Sequence, residues 1–157
     1  MIWSNLNWSE LIRPSKLSAL LTVISIVIIL IAHEQFYRVL IAAFGTDLHP
    51  IMEVERNRHV LARQIGVNGF ACAVIGYIGY KNRHALSELM TLKRDDNFDK
   101  RIYGYSPVGF QILLYFFGFQ VKNMYDTVIW EDGLLYIVHH LFAGVAAWLG
   151  MFPGAYL

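Results

Sequence analysis

Leu134-Leu-Tyr136-Ile-Val-His139-His140-Leu-Phe-Ala-Gly-Val-Ala-Ala-Trp148-Leu-Gly-Met-Phe152 is the stretch that decides the fold. It carries no charged residue, and Pro153-Gly154 ends it. Crossing the hydrocarbon core of a bilayer as a helix takes about 20 residues, and this run has that length. Two adjacent histidines interrupt it. Ionisable groups inside an apolar span are costly and face other helices or a wet cavity. The reading is therefore an all-α integral membrane bundle with a polar centre between its helices.

Composition agrees with that reading. Of 157 residues, 56% are hydrophobic and 16% are charged. A soluble domain carries about 25% charged residues. Mean hydropathy is +0.42. The net charge of +1 gives no case for a nucleic-acid partner. The single cysteine, Cys72, excludes an internal disulfide and a cysteine metal cluster. The N-terminus lacks the basic start and cleavage site of a signal peptide, and Trp3 and Trp8 suit a membrane interface.

Working outward, four spans are expected near 17–38, 64–80, 107–129 and 134–152, in one membrane domain covering 1–157. In the first, His33, Glu34 and Arg38 read as an interfacial cluster, with Glu34 and Arg38 spaced to pair on one helix face. Residues 45–59 read as a polar connection that leaves His49 and His59 in solvent. The second span is rich in small residues, and Gly69, Ala73 and Gly76 are expected to form a close helix–helix contact. A polar segment follows, in which His84 to Met90 fits a short surface helix. The third span opens at Ser106-Pro107 and ends in Gln120, Lys122, Asn123 and Asp126. Trp130-Glu131-Asp132-Gly133 turns the chain into the fourth.

Lys and Arg are denser beside the N-terminus and in the 81–105 segment than on the opposite side. The positive-inside rule then puts the N-terminus on the cytosolic, matrix or stromal side.

Adjacent helix residues point about 100° apart, so His139 and His140 cannot share a metal in the i, i+4 manner. One is expected to face a cavity and the other to pack on a neighbouring helix, with Tyr136 a turn before His140. Gln120, Asn123 and Asp126 on the preceding span are expected partners. Such a group holding one imidazole nitrogen leaves the other free to accept a proton. Three readings stay open at this point: a general base for acyl transfer, a site for a lipid head group or a tetrapyrrole, and a hydrogen-bonded knot that fixes helix register. No metal is expected.

Arg101-Ile-Tyr-Gly104-Tyr-Ser106-Pro107, Phe119-Gln120-Val-Lys-Asn123 and His139-His140 together resemble the TLC-domain family, the fold of ceramide synthases and translocating-chain-associated membrane proteins. The resemblance covers about 55–157. It implies that His139 and His140 match the paired histidines of the family's acyltransferases, and it implies an endoplasmic reticulum or other endomembrane location. A thylakoid or mitochondrial inner membrane is the alternative. The family domain normally continues past the histidine helix with spans that carry acidic residues. Asn123 stands where an aspartate is common. The expectation is thus a lipid-handling or accessory structural subunit of a larger membrane assembly, an organellar bioenergetic supercomplex included. Bound lipid and other membrane subunits would be its partners. Lipid acyl transfer by the histidine pair is the alternative.

Overall fold

The computed structural model describes residues 16–43, 45, 49–91 and 106–151. Trp3, Trp8, the basic residues from Lys93 to Arg101 and the Gly104-Tyr105 part of the family resemblance lie outside them. The described residues are all-helical, without a strand. Helix α1 covers Lys16–Ala43. After a short 3-10 turn, α2 covers Glu55–Leu61. A π-helical turn, Ala62–Val67, leads directly into α3, Asn68–Lys81. Helix α4, Arg83–Leu89, is the expected short surface helix. Helices α5, Pro107–Ile129, and α6, Leu134–Gly150, complete the bundle.

Local chemistry explains the boundaries. Ser106 caps α5 by accepting from the Gly109 amide at 3.1 Å, and Pro107 occupies the first turn. The α5–α6 turn needs Gly133, whose φ is +108°. The segment read as a polar connection is helical from Glu55 onward. Its charges favour that outcome, because Glu55 sits in the first turn and Arg58 and His59 in the last, where each complements the helix dipole.

Contacts order the helices up, down, up, down. Ile29 lies against Gly118, and Glu34 meets Lys122, so α1 and α5 run in the same direction. Arg63 reaches Asp126, while Cys72 and Asn68 lie at the level of Phe119, so α2–α3 runs against α5. Gly144 faces Gln120, and Trp148 packs on Phe117, so α6 also runs against α5.

Leu20–Ala43 and Glu55–Lys81 are each long and apolar enough to cross a membrane. Leu134–Gly150 is apolar but shorter, at 17 residues.

The close contact expected along Gly69, Ala73 and Gly76 is not made among the described residues. Gly69 and Gly76 have nothing near an added Cβ, and Ala73 is exposed. Sequence spacing identifies a small-residue stripe but not which face a neighbour covers. The tight approaches fall at other glycines. A methyl at Gly66 would overlap the Leu40 side chain, and one at Gly118 would sit 3.1 Å from Ile29 Cγ2. Gly118→Leu should therefore destabilise the bundle by about 1–3 kcal/mol through overpacking, while Gly69→Leu should leave the isolated chain unchanged. Thermal unfolding midpoints of the purified variants check this, and equal midpoints for the two would refute the α1–α5 packing.

Candidate functional site

The polar centre is assembled from three helices. A cavity of about 330 Å³ opens between the α2–α3 helix, α5 and α6. Gln120, Asn123, Asp126, Tyr136, His139 and His140, all expected from the sequence, line it together. Arg63, Gln64, Asn68, Cys72, Phe119 and Thr127 complete the wall.

Gln120 is the residue that holds a histidine. His140 Nδ1 lies 2.8 Å from Gln120 Oε1. A carboxamide oxygen only accepts, so the ring donates from Nδ1 and carries its lone pair on Nε2. The oxygen of the buried glutamine is thereby satisfied, and the half-buried imidazole is fixed in one tautomer. His139 lies with its ring centroid 5.2 Å from that of His140, at an interplanar angle of 68°. It does not pack on a neighbouring helix as expected; it is exposed at the same cavity. Among the described residues α6 packs chiefly on α5, which leaves this flank of the helix open.

Asp126 serves a different partner from the one expected. It forms an ion pair with Lys122, one turn earlier on α5. The Lys122 ammonium also lies 3.2 Å from Glu34 Oε2 on α1, and Arg38 bonds the other oxygen of that carboxylate at 2.9 Å. The expected Glu34–Arg38 pair is thus one part of a larger network. Arg63 pairs with Asp132 in the α5–α6 turn and donates to the Asp126 carbonyl at 3.3 Å. Arg63, Lys122 and Asp126 are all buried. Charges out of water persist when paired and hydrogen-bonded, as these are.

Two other histidines depart from their expected places. His33 does not share an exposed cluster with Glu34 and Arg38; it is fully buried in α1, with Nε2 2.7 Å from Tyr115 Oη. Phe70, Tyr115 and Phe119 meet its ring edge to face, at centroid distances of 6.0, 5.5 and 5.7 Å. That enclosure leaves no open face for a planar macrocycle. His59 is not in solvent. It bonds Tyr37 and packs on Trp130 at 4.3 Å, because helical α2 turns it toward α1 and the end of α5. His49 is exposed and caps the short turn that follows it.

Arg63 and Lys122 belong to this buried charge network, a role that their place in the sequence did not predict. The four-residue spacing of Lys122 and Asp126 was a usable signal, since such pairs share a helix face. The links to Glu34 and Asp132 carry no local signal.

All of these groups gather at one end of the bundle. The histidines lie five and six residues into α6, and thus roughly 8–9 Å along its axis at a rise of about 1.5 Å per residue. The cavity is therefore near the end that carries the α5–α6 turn. Among the described residues, no three His, Cys, Asp or Glu side chains converge as metal ligands do.

Lys122→Met should strand two carboxylates and cost about 3–5 kcal/mol, the usual consequence of removing one partner of a buried ion pair. Adding Asp126→Asn should restore part of the loss. Chemical or thermal unfolding of the single and double variants checks this; a single variant as stable as the parent would show that Lys122 is not held as described.

Comparison with family models, with curated proteins and with solved structures found no match.

Proposed function

We propose that the chain is a multi-pass helical membrane protein, TLC-like in its histidine helix, that handles lipid as an accessory or structural subunit of a larger membrane assembly. One observation carries this reading: the distribution of polarity is inverted. The buried set includes His33, Arg63, Gln120, Lys122, Asp126 and Thr127, whereas Leu21, Ile28, Ile31, Leu135, Phe142 and Leu149 are exposed. In water, apolar exposure on this scale would be a liability unless a partner covered it. In a bilayer it is the ordinary outer face, and paired polar groups belong inside.

The cavity suits a lipid head group. It lies near one end of the helices, and in a helix that spans a bilayer such an end is where head groups meet the hydrocarbon boundary. Neutral donors and acceptors, Gln64, Asn68, Asn123 and Tyr136, line it beside the paired Arg63 and Asp126. A hydroxyl- or phosphate-bearing head group matches that lining. Acyl chains would then lie along the apolar outer surface.

The hydrogen bond between Gln120 and His140 favours a second reading, lipid acyl transfer. His140 Nε2 would accept the proton of an amine or hydroxyl as that group attacks the carbonyl of an acyl thioester, and would pass the proton to the departing thiolate as the carbon–sulfur bond breaks. His140→Ala would then lower transfer by about 10²–10⁴-fold in a folded protein. Unchanged transfer in that variant would remove the histidine from the chemistry.

Two measurements test the main reading. In a Cys72→Ser background, Glu53→Cys and Glu88→Cys should label from opposite sides of sealed vesicles, since both are exposed, Glu53 in the turn just before α2 and Glu88 in α4, beyond the far end of α3. Labelling from the same side would sink the multi-pass arrangement. Protein extracted in mild detergent should also retain lipid visible by native mass spectrometry, and Asn123→Leu should reduce it. Equal retention by variant and parent would remove the head-group role from this cavity.

A further inference from the structure

A second cavity, of about 680 Å³, lies on the other side of α5, between α1, α2 and α5. Asp126 lines both cavities. Along α1 the lining changes from Leu30 and Ile31 to Glu34 and Arg38 within about two turns. Val121 continues the apolar part on α5, and Tyr125 flanks the charged part. An apolar trough ending in charges and aromatic rings has the polarity of a membrane boundary, where aromatic side chains concentrate.

From this geometry we infer that the second cavity is a binding site for a zwitterionic choline phospholipid, a proposal that rests on the membrane reading above. The charges of the site select the class. Glu34 and Asp126 balance Arg38 and Lys122. A net-anionic head group would leave this self-neutralised wall with an excess of negative charge, whereas a head group of zero net charge would not. Arg38 engages Glu34 through Nε, which leaves its terminal NH2 groups for a phosphate. The ring faces here already receive a cation: Lys122 Nζ lies 5.7 Å from the Tyr37 centroid and 5.6 Å from that of Tyr125. Tyr125 is 60% exposed, so its outer face is open to a quaternary ammonium. Leu30, Ile31 and Val121 then receive the first part of an acyl chain.

The test is native mass spectrometry of the full chain titrated with dimyristoyl phosphatidylcholine or dimyristoyl phosphatidylglycerol. The choline lipid should bind more tightly by about tenfold, and Arg38→Gln or Tyr125→Leu should each remove most of that advantage, the scale of one desolvated cation–ring or charge-assisted contact. Both side chains are exposed, so folding is not at stake. Asn123→Leu, in the first cavity, should leave the choline preference intact. Equal binding of the two lipids, a preference for the glycerol head group, or variants that bind like the parent would overturn the proposal. Loss of the preference in Asn123→Leu alone would move the lipid to the first cavity and overturn the second site while leaving the membrane reading intact. The membrane reading itself stands or falls on the Glu53 and Glu88 labelling.

Discussion

A buried ammonium between two carboxylates is the constraint on which the rest of the bundle depends. Lys122 joins Glu34 of α1 to Asp126 of its own helix, and the rings of Tyr37 and Tyr125 stand beside it. A lone charge in this position would be untenable, so the three groups require one another. Their geometry sets the rotation of α5 about its axis. With that rotation set, Gln120 faces α6 and His140 has its acceptor. Arg63 then ties α2–α3 to the α5–α6 turn through Asp132. The order of causes runs from a charge that must be neutralised, to helix orientation, to the tautomer of an imidazole.

Small residues complement this by letting backbones approach where the charges do not reach. Gly118 seats Ile29, Gly66 seats Leu40, and Gly144 faces Gln120 and Phe117. Such close packing, with the hydrogen bonds between helices, holds the bundle together at these points. The exposed stripe at Gly69, Ala73 and Gly76 has the same composition and no neighbour among the described residues, so composition alone does not make an interface.

The α5–α6 hairpin and its share of the first cavity were legible because both rest on short-range signals. Ser106-Pro107 marks the start of α5, Gly133 the turn, and the run after it α6. Gln120, Asn123 and Asp126 had to lie near His139 and His140 once the turn was short. The partner of each was not legible. Asp126 chose Lys122 over a histidine because a cation one turn away on the same helix outcompetes a neutral imidazole across a gap. The burial of His33 was hidden for a similar reason: Tyr115 and Phe70 are far away in sequence and only tertiary packing brings them to it.

The π-helical turn at Ala62–Val67 has a consequence for how the site tolerates change in length. Such a turn accommodates an extra residue without breaking the helix. Arg63 and Gln64 sit in it, so their direction is fixed by a local widening, not by the phase of α3. Deleting one residue there would restore ordinary helical winding and swing everything before it by about 100° relative to α3. The helix would stay continuous and apolar, yet Arg63 would leave Asp132 and His59 would leave Tyr37 and Trp130. Length polymorphism in this one turn would thus separate the fold of the chain from the contents of its cavities.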